Sequence, residues 1–568
     1  MNQIFHPSVI SDSCSIETFV GMAFNVLLAA ATLVAAYFIY KFVSFLSNYA
    51  QARRAGFPIY VSPVLSKTIP WMILGPALQP LYAKYLPNWI FERLEICSHG
   101  WEFRGKRAWH DRLGDVFMLV TPDECSIYIA DPVIGHSVLQ RRNDFPQAPL
   151  VAKILGFFGP NVFSANGDEW KRHRRMFNLD EGISRTAWVE STRQAQVMLK
   201  HLVENPGNQT LEGLKSLAIN VIGKAGYSQQ EEWAPAIRTR LGEATSGKAA
   251  YFETLSLITE MLAPAAFLPT SFMRLPIMPR ALRMLGYHMD RTPAYVQELL
   301  DDERTAIAKS TSRRNNFLSL LINLSDEDRR AGQGHASLSN DEISGSLFIF
   351  STAGYETTAN TMGYAVTLLA AYPEWQDWMR EELQSLPGDP STWKYEEVYP
   401  KCRRTLALML ETLRLYPPIM HTTRHIAEPQ EVTDSAGKTH LLTPPMGVYV
   451  CQLSMHVDKS IWGPDANEFR PTRWIDDSGH IITPEKGTYI PWSGGPRICP
   501  GLKMSEVEFV ATMGTLFRNA RCDPLPVDGV ESPETLRERL LSLVSDSVSK
   551  LALQMRNADG VYLRWTSV

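Results

Sequence analysis

Pro491-Trp492-Ser493-Gly494-Gly495-Pro496-Arg497-Ile498-Cys499-Pro500-Gly501 is the stretch that decides the fold of this chain. Its three prolines and three glycines exclude a regular helix or a central strand and predict a rigid loop. Residues 502–513 have the pattern of an amphipathic helix. Cys499 therefore lies where a loop meets a helix N-terminus, at which free backbone N–H groups and the helix dipole favour negative charge. We expect this position to favour the thiolate, the form of cysteine that binds metal.

Taken alone, Cys499 could be a buried cysteine beside a tight turn. The order of residues around it, however, resembles the haem-binding loop of the cytochrome P-450 family, with an aromatic residue, Gly, Arg, Cys and Gly at fixed spacing. Those positions are here Trp492, Gly495, Arg497, Cys499 and Gly501. The aromatic residue is usually Phe in that family, so Trp492 is a departure that keeps a flat apolar ring near the sulfur. The resemblance implies that Cys499 is the proximal ligand of a haem iron.

Composition narrows the class of protein. The 568 residues are 45% hydrophobic and 20% charged, which is typical of globular chains. Lys and Arg total 56 against 60 for Asp and Glu, so no electrostatic bias favours nucleic acid as a partner. The seven cysteines are scattered and form no C-x-x-C pair. That distribution argues against a disulfide framework or a zinc site and favours a reducing compartment.

Residues 18–40 form an uncharged apolar run that is long enough to cross a bilayer and too long for the apolar part of a signal peptide. Residues 1–17 contain no Lys or Arg, whereas Lys41, Arg53 and Arg54 follow the run. The positive-inside rule then predicts a lumenal N-terminus at 1–17, a transmembrane anchor at 18–40 and a cytosolic remainder. We expect a single-pass protein of the endoplasmic reticulum membrane. The alternative is that 18–40 is a buried core helix.

Residues 41–100 contain six prolines and predict a stiff, irregular linker that runs along the membrane to a catalytic domain at 101–568. Within that domain, 114–120 and 125–130 are expected to form a strand pair, followed by a short helix that reaches about Arg142. The apolar stretch from Met261 to Leu285 is broken by prolines. It either packs in the core or dips into the membrane near the substrate entrance, and we favour the second.

A long helix is predicted from the capping-box pattern at Ser339–Glu342 to just before Pro373. It is apolar on nearly all sides, which predicts a central, buried position. Glu356, Thr357 and Thr358 interrupt it, and burying them costs free energy unless each finds a partner. The simplest alternative is that the threonines bond to the preceding turn and that Glu356 makes a hydrogen bond in the core.

The sequence Ala353-Gly354-x-Glu356-Thr357 also resembles the oxygen-activation motif of the same family. The resemblance implies that Ala353 and Gly354 leave room for dioxygen above the haem. It further implies that Glu356 and Thr357 hold water and relay protons to the bound oxygen.

Further pairs of residues match family positions. Trp170 and Arg174 lie one helical turn apart, which alone predicts no more than a solvated cation–π pair. Their spacing matches the clamp on the haem propionates, and by position Arg424 and Arg497 are implied as further propionate ligands. Lys171, Arg172 and Arg175 would point elsewhere, and we suggest that they form a basic docking face for an acidic redox partner. His421, just before Arg424, is expected to be a pocket-lining or hydrogen-bonded residue.

Glu411 and Arg414 are spaced to pair on one helix, an arrangement that is energetically weak at a surface. Pro471-Thr472-Arg473-Trp474 follows and resembles the family's Pro-Glu-Arg-Phe element, with Thr in place of Glu and Trp in place of Phe. The resemblance implies that Glu411, Arg414 and Arg473 form a buried charge network with a structural role.

The resemblance extends over roughly residues 110–568. It implies a mainly α fold with a small β-rich part around one buried haem b, and a monooxygenase that inserts one oxygen atom of O2 into an apolar substrate. No nucleotide-binding motif is present, so electrons would come from an NADPH–cytochrome reductase, with cytochrome b5 as an optional second donor. The loop resembles fungal members, which favours a role in secondary metabolism. The alternatives are an oxygen-independent thiolate-haem isomerase or dehydratase, and a non-enzymatic haem sensor or carrier.

Overall fold

The computed structural model describes residues 13–177, 181–235, 247–309, 316–330, 337–527, 529 and 531–568. Of the predicted lumenal segment 1–17, residues 1–12 lie outside this range. The helices are α1 Ser13–Ala55, α2 Ile69–Tyr85, α3 Asn88–Glu95, α4 Trp101–Gly105, α5 Ala108–Leu113, α6 Pro132–Gln140, α7 Pro149–Leu155, α8 Gly167–Met176, α9 Glu181–Glu204, α10 Thr210–Tyr227, α11 Gly247–Glu260, α12 Leu262–Phe267, α13 Thr270–Met273, α14 Arg280–Lys309, α15 Phe317–Arg330, α16 Asn340–Ala371, α17 Pro373–Gln384, α18 Tyr395–Val398, α19 Arg403–Leu415, α20 Gln452–His456, α21 Lys459–Trp462, α22 Leu502–Arg518 and α23 Pro533–Ser545.

The strands are short and form four small sheets. They are β1 Ile59–Val61, β2 Val116–Val120, β3 Cys125–Ile129, β4 Thr422–Ile426, β5 Gln430–Thr433, β6 Thr439–Leu442, β7 Met446–Val450, β8 Ala520–Pro524, β9 Ser547–Ser549, β10 Leu553–Met555 and β11 Leu563–Ser567. The largest sheet has the order β1-β2-β3-β7-β4, and the pairs β5–β6, β8–β11 and β9–β10 are two-stranded. The predicted pairing of β2 with β3 is confirmed, with Val116 opposite Ile129 and Val120 opposite Cys125. The mainly α fold class with a small β-rich part is confirmed.

The long helix α16 crosses the interior, as its apolar sequence predicts. Its N-terminus has the expected capping box, in which the Ser339 hydroxyl accepts from the Glu342 backbone N–H and the Glu342 side chain accepts from the Ser339 backbone N–H. Most of its side chains are buried, and it packs against α10, α19, α22 and α23. Its end at Ala371 agrees with the breaking effect of Pro373.

The region predicted as an irregular linker is different in the structure. The helix α1 continues without a break from Ser13 to Ala55, and α2 and α3 occupy most of 69–95. The prediction that residues 41–100 form an irregular linker is therefore wrong. Pro70 stands in the first turn of α2 and Pro87 directly precedes α3, positions at which a missing N–H costs no hydrogen bond. Pro70 and Pro87 thus mark helix starts, whereas Pro76 and Pro80 lie inside α2.

The predicted charge network is present and buried. Arg414 on α19 makes two hydrogen bonds to the Glu411 carboxylate, of 2.8 and 2.9 Å, and both side chains are inaccessible to solvent. Arg473 Nε lies 3.1 Å from Glu411 Oε1. Arg414 also donates to the backbone carbonyls of His456, Ala466 and Glu468. The network therefore joins α19 to the segment that precedes the cysteine loop.

Trp474, the departure from the family's Phe, is part of this network. Its indole N–H donates to Glu411 Oε2 at 2.9 Å, and the Arg470 backbone N–H donates to Oε1 at 2.8 Å. The buried Glu411 carboxylate thereby receives donors from both arginines, from the backbone and from the indole, which offsets the cost of removing its charge from water. Phe could not supply the indole donor.

We expect Trp474→Phe to lower the free energy of unfolding by about 1–3 kcal/mol, because a buried carboxylate oxygen loses a charge-assisted hydrogen bond. Trp188→Phe is the matched control, since its buried indole donates to the neutral carbonyl of Trp393 at 3.0 Å. Urea unfolding of both holoenzymes measures the difference. Equal losses of unfolding free energy in the two variants would show that the indole bond to the Glu411 carboxylate contributes no more than an indole bond to a neutral carbonyl.

Candidate active site

The cysteine loop is held by backbone geometry. Gly495 has a φ of +64°, and a Cβ at this position would lie 2.2 Å from the carbonyl oxygen of Leu139 at the end of α6. Only glycine fits this left-handed conformation and close approach. The Cys499 backbone N–H donates to the Trp492 carbonyl at 2.9 Å and closes the loop. The loop is thus fixed against α6 on one side and leads into α22 on the other.

The Cys499 side chain is accessible, yet burial within the protein raises the pKa of its thiol. The backbone N–H groups of Gly501 and Leu502 and the charge of Arg174 act in the opposite direction, as expected for a helix N-terminus, but their effect is smaller. The bias toward the thiolate that the helix N-terminus predicts is therefore present, and burial opposes it. A cation bound at the sulfur would add to the stabilisation of the thiolate.

Trp492 is explained by a contact that Phe cannot make. Its indole N–H donates to the Ser505 hydroxyl of α22 at 3.2 Å, and that hydroxyl donates to the Leu502 carbonyl at 2.8 Å. The ring is partly buried against the core. The departure from the family pattern therefore ties the loop to the helix that follows it. Ser505 is a residue that sequence reasoning missed, because a serine in an amphipathic helix carries no distinctive signal.

A cluster of basic groups surrounds Trp170. The guanidinium of Arg497 lies 5.1 Å from the Trp170 ring centroid and that of Arg142 lies 4.7 Å from it. Arg424 on β4 is buried and donates to Gln147 Oε1 at 3.0 Å. The structure thus brings together two predicted side chains, Trp170 and Arg497. Arg142 and Gln147 were missed, since the sequence near them contains no recognisable motif.

This cluster has the properties of an anion site. The pKa of Arg424 is lowered to about 9, first by burial and then by the charge of Arg497, and the pKa of Arg497 is lowered to about 10, first by burial and then by Arg142. Among the described residues, the Nε atoms of Arg424 and Arg497 and the Nε2 atom of Gln147 are buried without a hydrogen-bond partner. Buried donors of this kind fit carboxylates such as haem propionates.

The space beside Gly501 is consistent with the same group. A Cβ at Gly501 would meet only the Cys499 sulfur, at 3.8 Å, so no protein atom demands glycine here. A flat cofactor bound to that sulfur would occupy the space. Together with the unpaired donors, this shows that the residues present fit a haem bound through Cys499.

The other basic residues of α8 have separate partners. Arg174 donates to the Phe177 carbonyl at 3.2 Å, and its charge acts on Cys499. Lys171 pairs with Asp168 at 2.6 Å, and Arg172 pairs with Glu342 at the start of α16. Arg172 is therefore engaged in joining two helices, contrary to the suggested docking face.

Two remaining candidates for metal or acid–base chemistry are otherwise explained. His421 Nδ1 lies 2.5 Å from the buried carboxylate of Glu102, so an acidic side chain of the protein already occupies the position beside this nitrogen. Glu169, His173 and Glu342 lie close enough to hold a cation. Because Arg172 already contacts Glu342, that carboxylate is neutralised without a metal.

The middle of α16 contains an accessible patch. Ala353 is exposed and Gly354 and Thr357 are partly exposed, although most of this helix is buried. The Thr357 hydroxyl donates to the Ala353 carbonyl at 2.8 Å, as in the simplest alternative, and its oxygen can still accept a hydrogen bond. A Cβ at Gly354 would lie 2.5 Å from Ile222 Cδ1, so this glycine also serves the packing of α10.

Glu356 has no core hydrogen bond of the kind that the simplest alternative required. It is 7% exposed, and its Oε2 atom has no hydrogen-bond partner among the described residues. Burial raises the pKa of Glu356 to about 7, while the charges of Lys215 and Lys550 act in the opposite direction. A carboxyl group with such a pKa can give up and take back a proton near neutral pH.

The comparisons with known proteins agree with this geometry. The family model described as Cytochrome P450 matches residues 88–547. The chain belongs to the cytochrome P450 family. The family implies a haem-thiolate cofactor, a redox partner and, in general, an apolar substrate, and it makes this protein an oxidoreductase of the monooxygenase kind.

Curated relatives and solved structures give the same result. A cytochrome P450 monooxygenase of the phomenoic acid biosynthesis cluster from Leptosphaeria maculans is 29% identical over 555 residues, which cover 89% of this chain and 93% of the relative. Cytochrome P450 monooxygenase ORF6 from Penicillium roqueforti is 26% identical over 532 residues, which cover 86% of this chain and 90% of the relative. The crystal structure of a cytochrome P450, CYP102L1, aligns with a TM-score of 0.62 at 18% identity over 82% of this chain and 94% of that chain.

We expect Arg424→Gln to raise the rate of haem loss about 10- to 100-fold, because the anionic part of the haem would lose a buried charge-assisted bond. Capture of the released haem by apomyoglobin measures this rate. His425→Gln, the next residue on β4, is the control and should behave like the wild type. An unchanged rate in Arg424→Gln would remove this arginine from the cofactor site.

Proposed function

We propose that this cytochrome P450 is a membrane-anchored monooxygenase that uses haem b to insert one oxygen atom of O2 into an apolar organic substrate, by hydroxylation, epoxidation or multi-step oxidation. The observation that carries the proposal is the pair Glu356 and Thr357 on the accessible patch of α16. Glu356 is a buried acid with a pKa near neutrality, and Thr357 is a partly exposed residue whose hydroxyl lies on the accessible part of α16.

In this proposal the chain holds the cofactor from several directions. Cys499 is the iron ligand, and the thiolate form is stabilised by the iron and by the N–H groups of Gly501 and Leu502. Arg424 and Arg497 bind the propionates with the donors that no described residue occupies, and Trp170 and Arg174 complete the clamp. When bound, the haem supplies the activation of dioxygen, of which one atom enters the substrate and the other leaves as water.

The proton path uses residues of this chain. Glu356 exchanges a proton at its unpaired Oε2, and Thr357 accepts a hydrogen bond at Oγ1 while its own proton is held by the Ala353 carbonyl. To donate toward the cofactor side, the Thr357 hydroxyl must leave the Ala353 carbonyl. Protein groups thus deliver protons one at a time from a carboxyl that is shielded from bulk water.

Apolar side chains would receive the substrate. The rings of Phe157 and Phe158 each lie 5.1 Å from that of Phe348 on α16, and Val162 and Phe163 are also packed against this core. The named relative from the phomenoic acid cluster supports a role in secondary metabolism. An apolar metabolite is the substrate class that such a wall favours.

The N-terminal helix supports location at the endoplasmic reticulum membrane. One described helix, over Met22–Ala55, is long and apolar enough to cross a bilayer, and none of its apolar window is buried. A cytosolic domain on such an anchor would receive electrons from a membrane-bound NADPH–cytochrome reductase, with cytochrome b5 as an optional second donor.

Two other functions make different predictions. An isomerase or dehydratase needs no O2, and a haem sensor or carrier turns over no substrate. Oxygen and NADPH consumption with added reductase and a panel of apolar metabolites separates them. Product formation without either co-substrate would contradict the monooxygenase proposal.

We expect Glu356→Gln to lower kcat about 10²-fold and to abolish a fall of kcat with rising pH. In the wild type, the protonated donor is present below the pKa of Glu356 and is lost as the pH rises through about 7. Lys215→Met removes a positive charge that lowers this pKa, so it should shift the fall to higher pH. A pH profile that Glu356→Gln leaves unchanged would exclude this carboxyl from proton delivery.

Thr357→Ala should keep haem but consume O2 and NADPH without forming a matching amount of product, because the relay loses its hydroxyl. Thr358→Ala is the matched control, since its hydroxyl donates to the Gly354 carbonyl at 3.2 Å and its side chain is buried. The ratio of product to NADPH measures the effect. Equal ratios in the two variants would show that Thr357 has no special role.

A further inference from the structure

The helix α1 is far longer than a bilayer requires. At about 1.5 Å per residue, Ser13–Ala55 extends over roughly 65 Å, about twice the ~30 Å hydrocarbon core of a membrane. The uncharged part ends at Tyr40. The last third of the same helix, from Lys41 to Ala55, must therefore lie outside the hydrocarbon if residues 18–40 cross it.

This last third of α1 packs with one face against the catalytic domain. Its partly or fully buried residues recur at helical spacing and are Lys41, Ser44, Phe45, Asn48, Gln51, Ala52 and Ala55. Ala52 and Ala55 belong to the buried core formed with β2, β3 and β7, and Phe45 packs against it. The opposite face carries Phe42, Val43, Leu46 and Tyr49, all exposed. One face therefore binds the catalytic domain and the other is left apolar beside the membrane.

Polar contacts fix the position of α1 on the β2–β3 turn. Lys41 Nζ lies 2.6 Å from Asp123 Oδ1, and the Asp123 side chain is only 6% exposed. Asn48 Nδ2 donates to the Thr121 carbonyl at 3.0 Å. Gln51 Nε2 donates to the Pro445 carbonyl at 3.0 Å and to the Thr443 carbonyl. Contacts at the membrane boundary and about two and three turns beyond it leave no free hinge between anchor and domain.

Asp123 also joins α1 to the start of α2. Its Oδ2 atom accepts a hydrogen bond from the Lys67 backbone N–H at 3.2 Å, two residues before α2 begins. The exposed apolar side chains of α2, which include Ile73, Leu74, Leu78 and Leu81, therefore start at the level where α1 leaves the bilayer. A lipid surface is the occupant that continues directly from the membrane span.

We propose that α1 and the catalytic domain form one rigid body, with Asp123 and Asn48 as its coupling residues, so that the angle of α1 in the bilayer sets the orientation of the domain on the lipid surface. The inference rests on the membrane span of the proposed function. A fixed orientation holds the face of the cysteine loop at a constant height for a membrane-bound electron donor.

Linear dichroism of the haem absorption in oriented bilayers tests the proposal, because the haem reports the orientation of the domain that holds it. The full-length holoenzyme should show a strong dichroism. The double variant Asn48→Ala/Asp123→Asn should reduce it toward the isotropic value, since the two substitutions together remove the polar contacts of both coupling residues between α1 and the β2–β3 turn. Ser47→Ala, on the exposed face of the same helix, is the matched control and should leave the dichroism unchanged.

The outcomes separate the rigid coupling from the anchor. Each variant is first checked for an intact haem spectrum, and Lys41→Met/Asn48→Ala, which keeps Asp123, carries the test if Asn48→Ala/Asp123→Asn does not fold. An isotropic wild type that stays in the membrane after an alkaline carbonate wash, or dichroism in the double variant equal to that of the wild type, would overturn the rigid coupling. Release of the wild type by the wash would instead overturn the membrane span.

Discussion

Buried and half-buried arginines that no described carboxylate neutralises constrain much of the site. Burial lowers the pKa of Arg424 and of Arg497, and the neighbouring charges, Arg497 for the first and Arg142 for the second, lower it further. Burying like charges together is costly unless an anion lies among them. Under the proposed function, the cysteine loop, α8 and β4 would hold these groups around the propionates of the haem.

In the other buried charge network, a carboxylate pairs with the arginines. Glu411 is surrounded by Arg414, Arg473 and the Trp474 indole, and it is satisfied without any cofactor. It joins α19 to the segment that leads to the cysteine loop. The chain thus contains two groups of buried or half-buried arginines. One pairs with the Glu411 carboxylate and fixes the scaffold, and the other, Arg424 and Arg497, donates to neutral partners and keeps its Nε atoms without a described partner.

Much of this organisation could be predicted from the sequence, because local motifs carry it. The capping box and Pro373 mark the ends of α16, and the spacing around Cys499 marks the loop. The departures Trp492 and Trp474 could not be interpreted, since their reasons are the Ser505 hydroxyl and the Glu411 carboxylate, which tertiary contacts bring to them. Arg142 and Gln147 were missed for the same reason. The helical content of 41–100 was missed because prolines were read as breakers, although two of them stand at helix starts.

The pKa of the Cys499 thiol depends on more than its place in the sequence. A helix N-terminus lowers a thiol pKa, but burial has the larger effect here, and only the whole fold determines the balance. The central claim is that this sulfur binds the haem iron. The reduced carbon-monoxide difference spectrum tests it most directly. We expect a thiolate-type band in the wild type and in Cys97→Ala, and we expect Cys499→Ala to lose it. Retention of that band in Cys499→Ala would show that another residue binds the iron.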